Sequence, residues 1–256
     1  MKNILLVLFI IPLFSNAQIL NMDIIQVKDG REMDYEAVEA FMVPIQQAAI
    51  NSGKKSGWYI LKNVGGGDLT EIEDKGVVDY MILSIYKDLD QMKADTWDGY
   101  LEIAKKAYKG KMSSRKVERM IASIAAEDNP RKDTRSYVME NIYYTKPNAH
   151  VVGNVYTVFP AQQLNDDYEQ FEMEYYRPIW EKNILAGKHM NWEFNRIIDR
   201  TENAYQNLTH IIFNRRVEGA TIDFPSDFRS NQLSKAGMAS RKAFDTANME
   251  LIFKAN

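Results

Sequence analysis

Apolar positions between residues 34 and 52 recur three and four apart, at Val38, Phe41, Met42, Ile45 and Ala49, which is the stripe of a helix with one buried face. Short runs rich in β-branched and aromatic residues surround it and read as strands: 21–27 before it, then 58–61, 79–86 and 137–144 after it. A second helical face, Val117, Met120, Ile121 and Ile124, precedes the last of these runs. The same order then returns, with strands over 154–159, 192–197, 208–213 and 249–253 and a helix that begins near Asp166. Gly53-Lys54 and Gly187-Lys188 should end the two long helices as left-handed caps. Asp166 with Glu169 offers a capping box, and Pro44 and Pro178 should bend the helices that contain them.

The two series match residue by residue. Pro44/Pro178, Ile45/Ile179, Ile50/Ile184, Gly53/Gly187, Lys54/Lys188 and Trp58/Trp192 are 134 apart, whereas Asn21/Asn154 and Tyr35/Tyr168 are 133 apart. One residue is therefore inserted in the second series. Arg131-Lys132, Met139-Glu140 and Ile142 match Arg241-Lys242, Met249-Glu250 and Ile252 at a spacing of 110, so the first series carries extra length between Tyr86 and Arg131. Each reads as βαββαβ, a ferredoxin-like module. One such sheet has helices on a single side and leaves its other face bare. The expected fold is α+β: a tandem duplication, with modules over 18–147 and 148–256, closing into an α/β barrel within one chain.

The first residues alter the picture of where this happens. Lys2, the apolar run Ile4–Phe14 and Ser15-Asn16-Ala17 have the layout of a secretory signal peptide over residues 1–17. The expectation is an exported protein, periplasmic or extracellular, with no membrane span after cleavage. It has no cysteine, so the core alone must stabilise it, and with three histidines a dedicated metal site is not expected. A net charge of −3 without a basic cluster argues against a nucleic-acid partner. Gly65-Gly66-Gly67 precedes Asp68 rather than a Lys-Ser/Thr pair, which makes it a turn and not a phosphate cradle.

The Pro-Ile, Gly-Lys and Trp series of Tyr35–Trp58 and Tyr168–Trp192 resembles the dimeric α/β-barrel superfamily, nearest to NIPSNAP-like and related exported proteins. The resemblance implies a barrel with an apolar pocket in each half. It names no reaction, since members include cofactor-free oxygenases, haem-handling proteins and stress-induced proteins. No cofactor is read from the residues themselves, and haem enters only through this resemblance.

The candidate ligand-binding residues are Trp58 and Trp192, each at the start of a second strand, with Tyr80, Tyr175 and His210. Tyr175 belongs to a crowd with Tyr176, Arg177 and Trp180; aromatic packing is the competing explanation there and at the two tryptophans. His210 is the candidate catalytic residue, as a general base or an axial haem ligand, because the alignment sets it against Ile82 on an apolar strand face. A satisfied core histidine is the competing explanation. Glu36, Glu39, Glu169 and Glu172 read as solvated charges that favour the helix starts. Three functions remain open: a module that holds a small apolar or aromatic ligand in the barrel, a cofactor-free oxygenase or haem-modifying enzyme using His210, and an envelope scaffold without catalysis. A homo-oligomer is compatible with each.

Overall fold

The computed structural model describes residues 18–66, 78–145 and 150–256. The segment read as a signal peptide lies outside them, as do Gly67 and Asp68 of the glycine-rich turn. The first half contains β1 (Ile19–Val27), α1 (Glu32–Asn51), β2 (Gly57–Gly66), β3 (Tyr80–Tyr86), α2 (Leu89–Ala94), α3 (Tyr100–Ala107), α4 (Ser114–Ile124) and β4 (Arg131–Tyr144). The second half contains β5 (Val155–Gln163), α5 (Tyr168–Gln170), a π-helical turn (Phe171–Tyr176), α6 (Arg177–Leu185), β6 (His189–Arg200), β7 (His210–Arg216), α7 (Phe228–Ala239), β8 (Arg241–Ala243) and β9 (Ala247–Ala255). Among the described residues no helix is long and apolar enough to cross a membrane.

The strands run β4-β1-β3-β2 in the first half and β9-β5-β7-β6 in the second, which is the same order. The halves join reciprocally. β2 pairs with β9, setting Trp58 opposite Ala255, and β4 pairs with β6, setting Asn141 opposite Asn195. The result is a closed antiparallel barrel. Closure dictates which way the alternating side chains point. Leu20, Met22, Met81, Met139, Val158, Phe213 and Met249 fill the lumen and are fully or almost fully buried. Each large apolar side chain removed from water there contributes about 1.5–3 kcal/mol. The lumen is thus largely a packed core, and the larger cavities lie between the outer face of the wall and the helices of each half.

The helix ends follow the sequence closely. Gly53 and Gly187 adopt φ of 79° and 69°, which glycine reaches without strain. Lys54 N–H donates to the Ala49 carbonyl and Gly53 N–H to that of Ile50, and Lys188 and Gly187 repeat this with Asn183 and Ile184. Both are Schellman motifs. The helix starts depart from expectation. α5 begins without a side-chain cap, and Glu169 instead accepts hydrogen bonds from Arg196 and His210, so the capping box does not form. Pro44 sits inside a continuous α1, whereas Pro178 opens α6 directly after the π-turn.

Candidate functional site

Each half holds a cavity between its long helix and the sheet, and the two cavities share a frame. Tyr35 and Tyr168 are fully buried. One helical turn on, Glu39 and Glu172 are also buried, with side chains 2% exposed. Arg131 at the start of β4 reaches Glu39 Oε1 at 2.7 Å, and Arg241 at the start of β8 forms the matching ion pair with Glu172. The guanidinium carbons lie 5.7 Å from the Tyr35 ring and 5.6 Å from the Tyr168 ring. Burial pushes the Glu39 carboxyl up, against the opposing pull of Arg131. Burial also pushes the Tyr168 phenol up to about 12. Arg241 approaches that hydroxyl without closing a well-formed hydrogen bond to it. The reading of Glu39 and Glu172 as solvated charges is therefore wrong. Their helix turns inward at those positions, and a half-buried arginine supplies the counter-charge that water would have given.

The register of the strands aligns the rest of the walls. Trp58 pairs with Ser84 and Trp192 with Asn214; Ile60 pairs with Ile82 and Phe194 with Ile212; Lys62 pairs with Tyr80 and Arg196 with His210. His210 therefore corresponds to Tyr80, not to Ile82. The partners agree: Tyr80 Oη donates to Glu36 Oε1 at 2.8 Å beside Lys62, and His210 Nε2 lies 3.1 Å from Glu169 Oε1 beside Arg196. A carboxylate only accepts, so the neutral imidazole carries its proton on Nε2, while Nδ1 faces the Thr209 hydroxyl at 2.9 Å. Burial holds the His210 pKa below its ordinary value. Its ring stacks on Phe194 and meets Tyr168 edge-on. Neither His210 nor Tyr80 lines either helix–sheet cavity; both tie the sheet to the start of a helix. Replacing His210 by tyrosine should then recreate the first-half arrangement. Thermal melts of His210→Tyr are expected to show a stability change below about 1.5 kcal/mol; loss of folding would sink the equivalence.

Of the other candidates, Trp58 lines the first cavity and Trp192 the second. Tyr175 lines neither; its hydroxyl donates to the Ser230 carbonyl on α7, and it borders a separate cavity of about 450 Å³ with Phe171, Arg229 and Leu233. Tyr176 and Trp180, from the same crowd, do line the second cavity. A one-residue change of spacing between the two series explains how. The matched spacing changes from 133 at Tyr35/Tyr168 to 134 at Pro44/Pro178, and the π-turn Phe171–Tyr176 occupies this interval. A π-turn absorbs one extra residue without breaking the helix, and such turns are frequent at functional sites.

On this frame the two cavities differ in chemistry. The first, about 210 Å³, includes Asp23, Gln46, Lys55 and Asp95 in its walls. The second, about 550 Å³, presents Phe159, Trp180, Trp192, Ile212, Phe224 and Phe244 around the Glu172–Arg241 pair. Strand register sets Asn21 against Thr157 rather than Asn154, which corrects that match and makes Phe159 the counterpart of Asp23; helix spacing makes Trp180 that of Gln46. A third, small cavity of about 40 Å³ lies in the lumen beside Tyr59, His150, Tyr156 and Glu193. Asn141 donates to Asn195 at 2.8 Å and to Glu193 at 3.3 Å, and burial pushes the Glu193 carboxyl up to about 7.

No known family model matches the sequence, and no curated protein matches it. Solved structures do match the fold. A candidate monooxygenase from Fusobacterium nucleatum aligns over 94% of both chains at 11% identity with a TM-score of 0.58. One from Lactobacillus acidophilus aligns over 94% of this chain and 96% of its own, at 9% identity and a TM-score of 0.55. An anthrone oxidase-like protein covers 94% and 93% at 8% identity and a TM-score of 0.50. The chain has their α/β-barrel fold. At these identities the likeness carries the fold and nothing finer.

Haem, which the superfamily resemblance raised, can be tested against the walls of the barrel's cavities. Neither helix–sheet cavity has a histidine in its wall, and the lumen cavity beside His150 is, at about 40 Å³, far smaller than a porphyrin. The second cavity offers Tyr168 as an axial oxygen, but its raised pKa disfavours the phenolate that iron would need. These residues do not fit a haem site.

Proposed function

We propose that the protein binds a small apolar or aromatic molecule in the cavity of its second half. The observation that carries this reading is the replacement of Asp23 and Gln46 by Phe159 and Trp180 on a shared frame, which turns a polar cavity into an apolar one of about 550 Å³. That volume lies in the range of small-molecule sites, roughly 300–1,000 Å³. Most of the wall would contribute by excluding water from the ligand. The buried Tyr168 hydroxyl and the Glu172–Arg241 pair supply the few polar contacts that would orient it. An aromatic ring carrying one oxygen suits such a wall, with the oxygen toward Arg241. Identical strand order, the repeated Tyr-Glu-Arg frame and an insertion absorbed by a π-turn support descent of the two halves from a duplicated module. The signal-like residues 1–17 support a place of action outside the cytoplasm.

Titration with 2-naphthol, read by quenching of Trp180 and Trp192, tests the site. Ala243 is exposed on its rim, so Ala243→Trp is expected to abolish quenching while changing stability by no more than about 0.5 kcal/mol. Undiminished quenching in a folded Ala243→Trp protein would refute the site. A second reading, a cofactor-free oxygenase, is favoured by the three fold neighbours, two of them candidate monooxygenases and one anthrone oxidase-like. Oxygen uptake on adding anthrone, lost in Ala243→Trp, would select it. Binding without uptake would leave the protein a ligand carrier.

A further inference from the structure

Among the described residues, the first-half cavity holds one buried acceptor without a donor and one carboxylate without an ion-pair contact. Gln46 projects from α1 with 7% exposure, and its Oε1 accepts no hydrogen bond. A buried amide oxygen in that state costs about 1–3 kcal/mol. Nearby on β1, Asp23 Oδ1 accepts from Asn21 at 3.0 Å and from the Ser136 hydroxyl at 2.6 Å. Its carboxylate makes no ion-pair contact among the described residues, and the cations whose charge it feels, Lys55 and Arg131, are held by other carboxylates. The cations of the same wall are already committed. Arg131 holds Glu39, and Lys55 holds Asp95 at 2.9 Å, where the Tyr86 and Tyr100 hydroxyls also donate and Lys54 approaches at 3.7 Å. Trp58 closes one side of the cavity. Trp97, 59% exposed and 4.9 Å from the Tyr100 ring, stands at its mouth.

With the cations committed, the orphaned Gln46 oxygen and the Asp23 carboxylate suit a ligand that brings N–H groups and positive charge. We propose that the first-half cavity is a second binding site, for a small cation of the amine or amidine class. Its N–H groups would reach Gln46 Oε1 and the Asp23 carboxylate, and its body would lie against Trp58 and Trp97. Tryptophan faces attract cations, which suits that orientation. Asp95 and Trp97 belong to the segment between β3 and β4 in which the first half is longer, so the wall they build is private to this half. In the second half Trp180 and Phe159 occupy the Gln46 and Asp23 positions and remove both acceptors. The site is therefore independent of any ligand in the other cavity.

Benzamidine, benzamide and benzoate are matched in shape and differ in charge and donors. Calorimetric titration of the full-length protein at neutral pH is expected to give millimolar or tighter binding of benzamidine, at least about tenfold weaker binding of benzamide, and none of benzoate. Gln46→Leu removes an unpartnered buried oxygen and should fold at least as well as the parent, yet weaken benzamidine by about tenfold or more. Asp23→Asn should do the same, and Ala243→Trp should leave benzamidine binding unchanged. Absence of benzamidine binding, equal affinity for benzamide, or full affinity in Gln46→Leu would each overturn the proposal. Should Asp23→Asn fail to fold, the benzamidine-to-benzamide ratio of the parent and the Gln46→Leu result decide it.

Discussion

Arg241→Leu is expected to cost about 3–5 kcal/mol of stability, because it leaves Glu172 as a buried carboxylate without a counter-charge. The Glu172–Arg241 pair itself is not the source of that figure. Two charges taken out of water cost nearly as much as their attraction returns, so removing both should do far less harm than removing one. The double variant Glu172→Leu/Arg241→Leu should recover most of the loss in urea unfolding. The cycle of parent, two singles and double then isolates the coupling. Equal destabilisation of the Arg241 single and the double would mean that Glu172 was never buried as a charge. Arg131 and Glu39 should behave alike in the first half, since the arrangement is the same.

The second large effect concerns Glu193. Burial in the wall of the lumen penalises the charge and pushes its carboxyl from an ordinary value of 4.5 up to about 7. Below the ordinary value both folded and unfolded chains carry the proton, and the group contributes no difference. As pH rises through the window from 4.5 to about 7, the unfolded chain releases a proton that the folded chain retains, so stability falls. A tenfold difference in proton affinity is worth about 1.4 kcal/mol, so the loss complete above neutrality is roughly 3 kcal/mol. Glu193→Gln keeps a group able to hydrogen-bond with Asn141 and Asn195 but cannot ionise. It should be more stable than the parent at pH 8 and nearly equal to it at pH 4.5. His150, held below its ordinary value by burial, acts in the opposite sense, with stability lost as pH falls. Comparing Glu193→Gln with the parent at each pH removes that contribution. A difference that does not change between pH 4.5 and 8 would rule out a neutral Glu193.

Much of this was legible in the sequence. The stripe Val38–Ala49, the glycine caps and the two matched series predict β1–β7, β9 and the long helices in their observed order, whereas the short β8 (Arg241–Ala243) was not foreseen. The inserted residue was legible too, though what it does was not: only the backbone reveals that helix strain is absorbed in a π-turn. The mistake over His210 has a physical origin. Side chains two apart on a strand share a face, so Tyr80 and Ile82 both satisfied the face argument, and only the cross-strand register distinguishes them. Glu39 was misread for a different reason. Its position in the first turns of a helix suits a solvated charge, and its partner Arg131 lies 92 residues away. The clue available was joint recurrence: Tyr35, Glu39 and Arg131 all return as Tyr168, Glu172 and Arg241. Paired helix-start charges that return together with an arginine point to a buried pair. Asp23 and Gln46 gave the opposite signal, by failing to recur.

The reciprocal joining of the halves sets the order in which this molecule can be completed. β2 finds its outer neighbour only in β9, at the far end of the described chain, and β4 finds its own only in β6. A chain that emerges from its N-terminal end first therefore carries two bare strand edges for as long as the second half takes to follow. Bare edges recruit whatever strand is near, including the same edge on another copy. Crowded synthesis should reward a holdase that shields β2 and β4, and swapped dimers exchanging whole halves should be the characteristic product when shielding fails.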